Sequence, residues 1–219
     1  MFCNSSAFLP ICQGYSKQLP AAAALAKLPK SPLIEKQKKI MLHSPSSSFT
    51  SLALKTLCGF GRVGFSGSRV VGSSAAISCS SFLSSVSGFS GSVAVGCARG
   101  CDFLVRSHFP SAVVFKVQSP FSRAAFAARS VRLVQWVGAS GLLVAFPLGA
   151  APAALRVSST FRGFGSGTWG SVALALGLGS SVLVVLPSSF SSFPAPSSVA
   201  SRFRLLGAAP CGGSLWFSN

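Results

Sequence analysis

Residues 169–187 read WGSVALALGLGSSVLVVLP, a run that carries no charge and is closed by Pro187. Residues 134–155, VQWVGASGLLVAFPLGAAPAAL, form a second uncharged run. A helix of about 20 apolar residues crosses a hydrocarbon core, so each qualifies by length and composition as a membrane span. Trp136 and Trp169 stand near the starts, where interfacial aromatics belong, and Arg132, Arg156 and Arg162 flank the runs. Ala173, Gly177 and Ser181 recur every fourth residue, as close helix packing in lipid prefers. Pro147 and Pro152 weaken the first run as a continuous helix. Arg123, Arg129 and Arg132 precede the pair and Arg202 and Arg204 follow it, which favours a hairpin with both ends on the cytoplasmic side.

The surrounding composition points the same way. Glu35 and Asp102 are the only acids in 219 residues, against 19 Lys and Arg, for a net charge of +17. Charged residues make up 10% of the chain, where a folded domain usually carries about a quarter with both signs mixed. Such charge calls for an anionic partner, and a mean hydropathy of +0.59 favours a lipid bilayer over nucleic acid. The expected fold class is therefore no confident globular fold: largely disordered, low-complexity chain with one or two hydrophobic helices, 134–155 and 169–187, as transmembrane anchors. The corresponding regions are a Lys-containing segment 1–57, a Ser/Gly-rich region 58–130, a hydrophobic region 131–190 and a Ser/Pro/Gly-rich tail 191–219.

A break falls at the first of these boundaries. Before residue 58 the cations are Lys17, Lys27, Lys30, Lys36, Lys38, Lys39 and Lys55; beyond it eleven arginines stand with Lys116 alone. From Cys58 on, only Asp102, His108, Lys116, Gln118, Gln135 and Asn219 belong to the residues whose codons carry a central adenine. Both patterns suit a shift in nucleotide composition, so one alternative is an open reading frame with no evolved function. A second is a basic, nucleic-acid-associated organellar protein, because the text from Met41 is serine-rich, basic and free of acid until Asp102, like a transit peptide.

Gly59-Phe-Gly61-Arg-Val-Gly64 fits G-x-G-x-x-G. With its preceding residues, LKTLCGFGRVG resembles the first strand and turn of glyceraldehyde-3-phosphate dehydrogenases and other nucleotide-binding domains, which implies a cofactor-binding βαβ unit. The likeness spans about a dozen residues. The Ser/Gly text that follows supplies no amphipathic helix, and no acid lies between Glu35 and Asp102 to hold a ribose. A second match, Gly165-Ser-Gly167-Thr-Trp-Gly170, reads as the product of a glycine-rich composition. No cofactor is expected.

Catalytic and metal chemistry are not expected either. The two acids stand too far apart in sequence to read as a general acid/base pair, and His43 and His108 have no obvious carboxylate. Cys97 and Cys101, with His108 beyond them, lack a fourth ligand for zinc. The reading is thus a non-enzymatic membrane protein. It assigns no catalytic, cofactor-binding or metal residue, indicates no small-molecule substrate and leaves the oligomeric state open.

Overall fold

Ser181–Leu186 is a β-strand buried on both faces, and the helix before it ends at Gly177. In the computed structural model the residues described are 47–118, 122–209 and 212–219, all within the unit Pro45–Asn219. The elements run α1 (Ser47–Cys58), β1 (Arg62–Gly67), α2 (Ser74–Ser85), β2 (Ser92–Gly96), α3 (Cys101–His108), β3 (Val113–Phe115) and α4 (Arg123–Val137). They continue with β4 (Leu142–Phe146), α5 (Gly167–Gly177), β5 (Ser181–Leu186), α6 (Ser197–Ala200), β6 (Arg204–Ala208) and β7 (Ser214–Ser218).

The strands form a seven-stranded sheet in the order β3-β2-β1-β4-β5-β7-β6. The first five pair in parallel, and β7 runs antiparallel to both β5 and β6. From β1 the chain winds outward to β3, then crosses back to β4 and β5 on the other side. The strand order therefore reverses between β1 and β4, as in doubly wound α/β domains.

Each apolar run is a helix end, a turn and a strand. Within 134–155, α4 finishes at Val137, Gly138 turns the chain at φ 68°, and β4 follows. Within 169–187, α5 finishes at Gly177, Gly179 turns at φ 76°, and β5 follows. Ser180 Oγ donates to the Gly138 carbonyl at 2.8 Å, tying the two turns together. The strands are apolar at successive positions because parallel strands bury both faces. Leu142, Val144, Phe146, Leu183 and Val185 enter one core with Phe65 and Phe82. Leu143, Ala145, Val182, Val184 and Leu186 enter the other with Trp169 and Val172. Each large side chain so buried contributes about 1.5–3 kcal/mol, and the shared sheet couples the two layers.

These findings overturn the membrane reading. The 11 residues of α5 make a helix about 16 Å long, roughly half a hydrocarbon core. No helix among the described residues is long and apolar enough to cross a membrane. The expected disorder is also corrected, since residues 58–130 supply three strands, two helices and the start of α4. So is the transit-like segment: from residue 47 its text forms α1 and β1, and Ala53 and Leu57 of α1 lie in the core. Met41 itself lies outside the described residues, with Glu35 and His43.

Serine is the reason low-complexity text can fold here. Buried Ser85 and Ser171 donate to the carbonyls of Phe82 and Gly167 at 2.6 and 3.0 Å, so their hydroxyls need no water. Ser73, Ser122 and Ser166 cap α2, α4 and α5 by accepting N–H bonds from Ala76, Ala125 and Trp169.

GFGRVG takes a role unlike the one its pattern suggests. It joins α1 to β1 and lies at the N-terminal edge of the sheet. Its last glycine is a packing residue: a Cβ on Gly64 would run into Val137 Cγ2, with Leu133 and Leu143 methyls at 3.5 and 3.6 Å. The missing side chain lets α4 seat against β1. Gly64→Val is expected to destabilise the domain by about 1–3 kcal/mol in urea unfolding, and unchanged stability would contradict this packing.

Candidate functional site

Beyond the carboxyl ends of β1 and β4 lies an open crevice of about 1020 Å3. This is the point where the strand order reverses, the place at which doubly wound sheets hold their ligands. One wall is the end of β1 and the following loop, Ser66–Val70; another is the first part of α4; the third is the segment leading into α5.

That third wall overlaps the second G-x-G-x-x-G match, Gly165–Gly170. Gly163, Phe164, Gly165, Ser166, Gly167 and Thr168 line the crevice and lead from the β4–α5 loop into the helix. Phe164 adopts φ 47° and Gly165 φ 84°. A phenylalanine in the left-handed region costs about 1–3 kcal/mol, a strain that concentrates at functional loops. Ser166 donates its N–H to the Gly163 carbonyl at 2.7 Å, which closes the turn. Its Oγ accepts from Trp169, and Trp169 Nε1 donates to the Gly149 carbonyl at 2.9 Å, fastening the helix start to the loop after β4. The opening N–H groups of Gly167 and Thr168 precede any intrahelical acceptor and carry the positive end of the helix dipole.

Arginines supply the rest of the positive field. Arg69, Arg123 and Arg129 line the crevice, and the Arg69 guanidinium lies 5.1 Å from the Phe126 ring centroid. That stacking fixes a long side chain that water would otherwise leave free. Phe126, Phe161, Phe164 and Trp169 give the crevice an aromatic side. Among the described residues that line the crevice there is no Asp, Glu, His or Cys.

The acid and thiol groups considered from the sequence fall elsewhere. His108 ends α3 and packs edge-on against Phe109, with centroids 4.7 Å apart. Cys97 Sγ accepts the Val117 N–H at 3.4 Å, whereas Cys101 is buried and its thiol faces the Ala75 carbonyl at 3.7 Å. Cys79 lies beside Cys101, and the contact between the two thiols together with burial pushes the Cys79 thiol well up. Among the described residues, no three His, Cys, Asp or Glu side chains gather as a metal site.

Asp102 is buried at the start of α3, paired with Arg129 at 3.4 Å. Burial pushes its carboxyl upward, against the opposing pull of Arg129, the Ala98 N–H, Arg106 and Arg69. Arg69, Arg129 and the Gly163–Thr168 turn escape the sequence reading. The available signal was positional: the second glycine match, unlike the first, directly precedes a helix-length apolar run. No protein-family model, curated protein or solved structure matches the chain.

The Asp102 shift has a definite sign in stability. A carboxyl raised above its unfolded value of about 3.9 favours the folded state when protonated, and that contribution is lost as pH rises through the folded value. In urea unfolding, wild type should gain stability relative to Asp102→Asn as the pH falls from neutrality toward the unfolded value of about 3.9. The opposite trend would mean that the guanidinia outweigh burial.

Proposed function

We propose that the domain binds a phosphate-bearing small molecule with a flat apolar group, of the mononucleotide class, in the crevice between β1 and β4. The observation that carries this reading is the strained Gly163–Thr168 turn, which aims the start of α5 into a space walled by Arg69, Arg123 and Arg129. Backbone N–H groups at a helix start and guanidinia are the two standard ways to hold phosphate, and here they share one cavity. Phe126, Phe161 and Phe164 offer faces for a planar ring.

One observation favours a second reading, a nucleic-acid strand as the ligand. The described residues hold thirteen Lys and Arg side chains, and their single side-chain carboxylate, Asp102, is buried, so the folded surface presents no opposing side-chain charge. Polyanions would be attracted wherever they touch it.

Gly167 separates the readings. No atom lies within 4 Å of a Cβ placed there, and an acid in the first turn suits the helix dipole, so Gly167→Asp should leave stability intact. In calorimetry, adenosine monophosphate and inorganic phosphate should bind the wild type. Gly167→Asp should lose about tenfold or more in affinity for both. Absence of binding to either compound would refute the small-molecule reading. Tight, salt-sensitive binding of a single-stranded oligonucleotide that Gly167→Asp leaves unchanged would place nucleic acid on the outer surface instead.

A further inference from the structure

Asp102 stands just behind the crevice and is not among its lining residues. It is 4% exposed. Its Oδ2 accepts the Ala98 N–H at 3.1 Å and meets Arg129 Nη1 at 3.4 Å. The two side chains converge over Gly96, the last residue of β2. A Cβ there would run into Asp102 Oδ2 and lie 3.0 Å from Arg129 Cζ. Arg106, on the same helix as Asp102, is already committed to the Gly96 and Ala98 carbonyls at 2.7 and 3.0 Å.

Arg129 is therefore held by one carboxylate contact between α3 and α4. Its Nε is buried and has no acceptor. An unmet buried donor costs about 1–3 kcal/mol, so packing alone gives little reason to keep a guanidinium in this place. Arg129 is nevertheless one of the residues that line the crevice, with Ser66, Gly67 and Arg69. Three guanidinia in that wall against one carboxylate behind it leave the field positive, so the pair orients without cancelling the attraction for an anion.

We infer that Asp102 is a positioning residue, which orients the Arg129 guanidinium toward a phosphate seated in the crevice while itself making no contact with the ligand. This rests on the phosphate-binding reading above. Free of Asp102, Arg129 would sample other rotamers, and each ligand contact would carry the entropy of refixing a long side chain.

The test is a double-mutant cycle on the full chain at about pH 8, with adenosine monophosphate as probe, read beside water exchange of the Arg129 Nε–H by NMR. Asp102→Ala should weaken binding about tenfold and have no further effect in an Arg129→Ala background. The same substitution should speed Nε–H exchange at least about tenfold, because the side chain is released. Should Asp102→Ala fail to fold, Asp102→Asn keeps one oxygen for the two donors and should lose about threefold in affinity. Unchanged Nε–H exchange in both Asp102 variants overturns the positioning role, as does an affinity loss that persists without Arg129. Faster exchange in a chain that binds neither adenosine monophosphate nor phosphate supports the positioning and refutes the ligand reading.

Discussion

Burial of β4 and β5 on both faces dictates the layering of the whole domain. All five residues of β4 and all six of β5 are buried, and their alternate side chains feed two separate cores. A strand covered on both sides needs a layer of helices above and below it. The α2 and α3 helices pack one layer and α4 and α5 the other, and the crossover from the first layer to the second opens the crevice between β1 and β4. The site is thus a product of topology before any lining residue is considered.

Part of this was legible in the sequence. The uncharged runs 134–155 and 169–187 do mark the centre of the molecule, but length and hydropathy alone do not separate a membrane helix from a helix end joined to a buried strand. The separating signal was local. Gly138 and Gly179 each stand between a helix-forming stretch and a strand core, and both take positive φ, where a helix C-terminus prefers glycine. SVLVVL is also half β-branched, which suits a strand better than a helix. The disorder expected of 58–130 rested on its sparse charge and Ser/Gly-rich composition. In α2 and α5, buried serines bond back to the preceding turn, and such a bond leaves no periodic apolar mark.

The site was less legible because its chemistry resides mainly in backbone and arginine. G-x-G-x-x-G describes only spacing. What distinguishes Gly165–Gly170 from Gly59–Gly64 is the element that follows: Gly165–Gly170 opens a helix at the carboxyl ends of the strands, and Gly59–Gly64 runs into β1 from the opposite edge. Elsewhere the local sequence and the fold agree in detail. Six of the seven described residues at positive φ are glycine, the exception being Phe164 at the crevice. Three helices begin at capping serines, and the one described carboxylate meets an arginine across 27 positions of sequence.

Amide hydrogen exchange in aqueous buffer without detergent distinguishes a short helix followed by a central strand over residues 169–187 from one continuous helix. Val182–Val185 and Leu142–Ala145 should exchange most slowly, through global unfolding, while Gly179 between α5 and β5 exchanges far faster. Continuous protection from Trp169 to Leu186 that appears only in detergent or lipid, with rapid exchange of both strands in buffer, would contradict the helix-and-strand arrangement.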